Sequence, residues 1–112
     1  MANKEEIIDA LKSWVEKTSD EKYARLLSGW NKEMQYHFTD TDEYFYIKFT
    51  DGKPEGPFEG QVEDPEISYK MSSDTFLSIS RKEISGVKAF MTGKVKVKAS
   101  MQDKLKLQKL DQ

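Results

Sequence analysis

GVKAFMTGKVKVKASMQDKLKLQKL, residues 86–110, sets a helical turn, a strand and a helix in quick succession. Val87 to Met91 reads as a short helical turn, and Gly93 breaks it, because glycine enters positive φ without a Cβ clash. Lys94 to Ala99 then alternates, as a half-buried strand does: Val95, Val97 and Ala99 point one way and Lys94, Lys96 and Lys98 the other. From Met101 a Leu-rich helix is predicted, with Met101, Leu105 and either Leu107 or Leu110 facing a sheet. The stretch has no Cys, no His and no nucleophile beside a base. Two Met, one Phe and three Leu share one apolar surface. A wall for an apolar ligand needs those residues, and so does an ordinary filled core.

Upstream, Ile7, Ile8, Leu11, Trp14 and Val15 recur at helical spacing, with Lys4, Glu5, Asp9, Lys12 and Glu16 opposite. Thr18-Ser19-Asp20-Glu21 reads as a capping box for a second helix that turns Tyr23, Leu26 and Leu27 inward and ends at Gly29. From Lys32 the period changes to two. Met34, Tyr36 and Phe38 share one face of a strand, and Phe45, Ile47 and Phe49 share one face of the next. Asp51 to Pro57 has the composition of a turn, and a short third strand is expected at Phe58 to Val62. Ile67, Tyr69 and Met71 mark a fourth strand. Ser72-Ser73-Asp74 then caps a helix carrying Phe76 and Leu77. Helices at both ends of a mainly antiparallel sheet make an α+β fold, expected as one domain over residues 1–112.

Composition narrows the function. The 112 residues carry 18 Lys and Arg against 20 Asp and Glu, a net charge of −2, which speaks against nucleic acid as a partner. With no cysteine, thiol chemistry and Cys-based metal sites are excluded. MANKEEIIDALK lacks the apolar core of a secretory signal, and a cytoplasmic location is expected. His37 is the only histidine and has no second ligand beside it, so neither metal nor cofactor is expected. Asp40-Thr41-Asp42-Glu43 lacks the glycine and late Glu of a calcium loop and reads as a turn.

Ala89-Phe90-Met91-Thr92-Gly93-Lys94-Val95-Lys96-Val97, then Met101, then Lys106-Leu107-Gln108 resembles the most recognisable segment of the sterol carrier protein 2 family. Ile67 to Leu77 is similar to the strand, polar cap and apolar helix that precede it there. The resemblance runs from Glu66 to Leu110 and is compatible in order and length before that. It implies a five-stranded, mainly antiparallel sheet with helices on one face and a hydrophobic tunnel between. It also implies non-catalytic binding and transport of a fatty acid, fatty acyl-CoA or sterol-like ligand. Ala99-Ser100 stands where the family has Gly and then Asp or Asn. Asp103 and Lys104 stand where it has apolar residues. A more polar first turn of the last helix would narrow the tunnel or set a charge at its mouth.

On the residues alone, amphipathic helices on a sheet make a filled core; the resemblance turns the preference to a cavity. Its expected lining is Trp14, Leu26, Phe76, Leu77, Phe90, Met91, Met101 and Leu105, with Gln108 as a polar anchor by the family pattern. Methionine suits ligands of varied shape. Lys94, Lys96 and Lys98 form either a solvated strand face or a patch for transient contact with an anionic membrane. Asp40 to Glu66, by contrast, holds nine acids against Lys48 and Lys53. Two other readings stand beside carriage: an interaction module with a filled core serving a separate enzyme, and an enzyme acting on acyl-CoA. Oligomeric state is left open by the sequence.

Overall fold

Asn3 starts the first helix: its side chain accepts from the Glu6 amide at 2.8 Å, while Glu6 accepts from the Asn3 amide. The computed structural model describes residues 2–110. Helix α1 (Lys4–Thr18) buries Ile7 and Leu11 and rests Trp14 edge-on against Phe49, ring centroids 5.9 Å apart. Thr18 does not open a capping box. It ends α1, its hydroxyl donating back to the Trp14 carbonyl, and Asp20 caps the following 3-10 turn (Glu21–Tyr23) by accepting from the Lys22 amide. Both Thr18 and Asp20 have cap chemistry, and the helical phase of Trp14 and Val15 carries the first helix through Thr18. Helix α2 (Ala24–Leu27) follows directly.

Five strands form one sheet: β1 (Lys32–Phe38), β2 (Glu43–Thr50), β3 (Lys53–Glu59), β4 (Ile67–Met71) and β5 (Lys96–Lys98). Their order is β3-β2-β1-β4-β5, antiparallel at every pair except β1 and β4, which run parallel. Register sets Met34 opposite Ile47 and Ile67, Tyr36 opposite Phe45 and Tyr69, and Phe38 opposite Met71. One face of the sheet therefore carries the apolar rows, and the helices cover that face. The other face carries His37 stacked on Tyr44 at 4.2 Å and Tyr46 against Phe58.

Two strands differ from the sequence reading. The third begins at Lys53, within the stretch expected to be a turn, and does not reach Val62. Pro54 and Pro57 suggested a break, but β3 is an edge strand, where a residue without an N–H is tolerated. Its turn is tight against α2: Gly52 has φ +78°, and a Cβ there would strike the Leu27 carbonyl. The fifth strand is only three residues. The amides of Lys94 and Val95 donate to the Ala89 carbonyl at 2.8 and 3.2 Å, so both belong to the exit of the preceding helix.

Three more helices complete the covering layer: α3 (Ser73–Ser80), α4 (Gly86–Met91) and α5 (Met101–Leu110). Serines cap all three: the Ser72, Ser85 and Ser100 hydroxyls accept from the Thr75, Lys88 and Asp103 amides. At Ala99, where the resemblance has glycine, the chain passes without positive φ.

Asp40, in the β1–β2 turn, adds a second lock on α3. Its carboxylate accepts from the Ser73 amide at 2.9 Å and the Ser73 hydroxyl at 2.5 Å. Partial burial pushes the Asp40 carboxyl up, but the bonds from Ser73 and from the Asp40 and Thr41 amides outweigh it and hold the group below its ordinary 3.8. A depressed folded-state value means that this stabilisation is present above the unfolded value and disappears as pH falls through the folded one. Asp40→Ala should therefore lower stability by about 1 kcal/mol at pH 7, a figure reduced for the exposure of the group. Urea unfolding of parent and variant at pH 7 and at acid pH should show the difference shrinking as the pH falls through the folded-state value.

Candidate ligand-binding site

The inner sheet face and the covering helices do not close on each other everywhere. A cavity of about 830 Å³ lies between them, well within the size range of small-molecule pockets. Its floor is Tyr36 on β1, Tyr69 and Met71 on β4, and Val95 and Val97 by β5. The Tyr36 and Tyr69 rings lie nearly parallel, 4.9 Å apart, and Phe76 of α3 meets Tyr36 edge-on at 5.6 Å. One side wall comes from α1, with Ala10 and Trp14. The facing wall is α4, with Val87, Phe90 and Met91, and α5 adds Leu107 and Gln108.

The polar groups around this cavity are mostly cationic. Lys17, Lys82 and Lys104 border it against a single acid, Glu83, and Ser13, Ser80 and Ser85 add hydroxyls. Lys104 holds its ammonium 5.9 Å from the centre of the Phe90 ring, joining α5 to α4 over the opening. Among the described residues no three His, Asp or Glu are grouped to hold a metal ion, and no helix is long and apolar enough to cross a membrane. His37 bonds Asp42 at 2.9 Å and borders no part of the cavity.

Trp14, Phe76, Phe90, Met91 and Gln108 are brought together on this cavity. Leu77 is not among them: it is buried, on the core side of α3. Leu26 and Leu105 border a separate recess of about 360 Å³ with Trp30 and Lys32. Met101 is 70% exposed and borders neither space. The phase of α5 explains two of these four departures, Met101 and Leu105. Leu107 and Leu110 are its buried leucines, and that choice turns Met101 and Leu105 outward and Lys104 and Gln108 to the cavity.

Asp103 turns away from the opening altogether. It is buried, accepts from the Trp30 indole N–H at 2.9 Å, and lies 3.4 Å from the Lys32 ammonium. Lys106 donates to the Leu26 carbonyl at 3.0 Å. These bonds fix α5 to the start of β1 and to α2. The residue expected to narrow the entrance thus anchors the wall instead, while its neighbour Lys104 does set a charge on the cavity. Sequence reasoning missed Tyr36, Tyr69 and Met71 as lining, although strand parity had already placed them on the inner face. Lys17 and Lys82 had no sequence signal beyond their charge.

Asp103→Ala should cost about 2 kcal/mol, because the buried indole N–H and the Lys32 ammonium lose their acceptor. Asp103→Asn, which keeps an acceptor for Trp30, should cost about half as much. Urea midpoints of the three proteins check the order.

The model of the SCP-2 sterol transfer family matches residues 11–111. No curated protein matches the chain. The sterol carrier protein domain 2 of Helicoverpa armigera superposes with a TM-score of 0.74 at 17% identity, covering 98% of this chain and 90% of that one. Palmitated SCP2L2 from Aedes aegypti gives 0.71 at 19% identity, covering 98% and 95%. The inverting sec-alkylsulfatase Pisa1 from Pseudomonas sp. gives 0.64 at 17% identity over 84% of this chain, which spans only 14% of the sulfatase.

Proposed function

The chain belongs to the SCP-2 sterol transfer family, and we propose that it binds and carries a single-chain lipid with an anionic end, a fatty acid or its acyl-CoA thioester, without transforming it. The observation that carries this proposal is the apolar cavity of about 830 Å³ bordered by Lys17, Lys82 and Lys104 against Glu83 alone. A neutral sterol would leave three lysines without a partner. A carboxylate or phosphate would meet them.

Chain and head contribute differently. Each methylene taken out of water contributes about 0.8 kcal/mol. One charge-assisted hydrogen bond contributes about 1.5–3 kcal/mol, and less where water reaches it. A chain of a dozen carbons therefore dominates the affinity, and the lysines decide which end lies at the opening. Trp14, Phe76, Phe90 and Met91 are the proposed chain contacts, and Gln108 a polar contact near the head. The Aedes relative is palmitated, which makes palmitate the natural first probe. A cysteine-free chain suits carriage in the cytoplasm.

Native mass spectrometry of the purified protein should reveal a co-purifying lipid. Titration with a fluorescent fatty acid, competed by palmitate, palmitoyl-CoA, hexadecanol and a sterol, should rank the two anions first. Lys17→Ala/Lys104→Ala should weaken palmitate by roughly tenfold, the equivalent of about 1.4 kcal/mol, and leave hexadecanol unchanged. Equal binding of acid and alcohol would remove the lysines from recognition, and no binding of any of the four would end the carrier proposal. Release of free CoA from palmitoyl-CoA during the same titration would point to catalysis instead.

A further inference from the structure

Val87, Phe90 and Met91 border the cavity and yet are 43%, 46% and 78% exposed. The large apolar side chains exposed among the described residues are these three, Met101 and Leu105 on α5, and Phe58, which stands apart on β3. Val87, Phe90 and Met91 stand at i, i+3 and i+4 of one helix and so share one face, and an exposed apolar patch marks an interaction surface. Its electrostatic setting is one-sided. From Lys82 to Lys104 the chain carries six lysines and two acids, and one of those acids, Asp103, is buried beneath Trp30. Lys88 and Lys94 flank the apolar trio and are exposed, as are Lys96 and Lys98 on β5. Of the nine acids between Asp40 and Glu66, Glu43 and Glu59 meet Lys4 of α1 and Asp40 caps α3, and β3, with Glu55 and Glu59, is the edge farthest from β5. Four strand spacings of about 4.8 Å separate those two edges by about 19 Å.

We propose that α4 is a membrane-docking lip: Val87, Phe90 and Met91 enter the interfacial layer of an anionic bilayer while Lys88, Lys94, Lys96 and Lys98 contact its headgroups. The charge separation across the sheet turns this face, and the cavity opening with it, toward the negative surface before contact. Lysine ammoniums on flexible stems suit such headgroups, which offer charge without fixed geometry. A second copy of the chain is a poor occupant, because a two-fold contact would set the lysine patch against itself. The sequence reading placed the contact on the three alternating lysines alone. Here those lysines supply attraction, and the apolar lip supplies the seat. Docking draws on the solvent-exposed side of these lining residues and on the lysines beside them, and does not depend on which lipid the cavity takes.

Vesicle flotation tests it directly. The parent protein should float with phosphatidylcholine vesicles containing phosphatidylglycerol, not with phosphatidylcholine alone, and should be released by high salt. Lys88→Glu/Lys94→Glu, whose side chains do not border the cavity, should lose vesicle binding by roughly twentyfold or more, since each lysine near an anionic leaflet multiplies affinity by about five. It should still bind a fluorescent fatty acid in solution, which also shows that it folds. Met91→Trp should shift its added emission to the blue on anionic vesicles and be quenched by brominated acyl chains, relative to the background of Trp14 and Trp30. Flotation without composition dependence, an unshifted Met91→Trp spectrum, or a parent protein that sediments as a dimer through this face would overturn the proposal. A protein that floats but binds no fatty acid would leave docking standing and sink only the carrier proposal; the reverse result would sink only docking.

Discussion

β1 is hydrogen-bonded on both edges, antiparallel to β2 and parallel to β4, and the rest of the molecule is arranged to satisfy that pairing. A parallel neighbour cannot be reached by a tight turn. After β2 the chain runs out to β3 at the far edge and must return past β1 before β4 can begin. Residues 60–66 make the return, and β1 holds them from its outer side. Gln35, buried on that face, accepts from the Val62 amide at 2.6 Å, and the Glu66 carboxylate accepts from the Glu33 amide at 3.1 Å. With the return made on the outer face, the inner face is left to the helices. Met34, Tyr36 and Phe38 become the row on which helices and cavity both rest.

The helical layer is fastened at its margins rather than over the cavity. α1 is tied to β3 through Lys4 and Glu59 and to the end of α3 through Glu6 and Arg81. α3 is tied to the β1–β2 turn through Asp40 and Ser73. α5 is tied to Trp30, Lys32 and Leu26 on the side facing away from the opening. Polar bonds thus carry the layer where water or a partner reaches them. The space above Tyr36 and Tyr69 is left with mostly apolar walls, a combination that hydrophobic packing alone would not hold open.

Much of this was legible in the chain, because strand parity and helix phase are local signals. The rows Met34-Tyr36-Phe38, Phe45-Ile47-Phe49 and Ile67-Tyr69-Met71 followed from alternation, and all lie on the inner face. The departures have nonlocal causes. Pro54 and Pro57 signal a turn wherever a strand needs two partners, and only the sheet order shows that β3 needs one. In Lys104-Leu105-Lys106-Leu107, periods of two and of 3.6 coexist, so the sequence cannot say which leucine is buried. The answer depends on Asp103 finding the indole of Trp30, 73 residues earlier. The same long-range bond decided that Met101 and Leu105 leave the cavity and that Lys104 enters it.

The two ends of the sheet share a further property. A bare strand edge is a row of unsatisfied amides and carbonyls, and it recruits strands from other molecules. At β3, Pro54 and Pro57 remove two amides and Glu55 and Glu59 add like charge. At β5 the strand is three residues long and begins and ends in lysine. Neither edge offers another copy a run long enough, or neutral enough, to extend the sheet. The alternating lysines would therefore guard against aggregation even in a chain that never met a membrane, and replacing them with the β-branched residues that strands favour would leave the fold intact and the protein sticky.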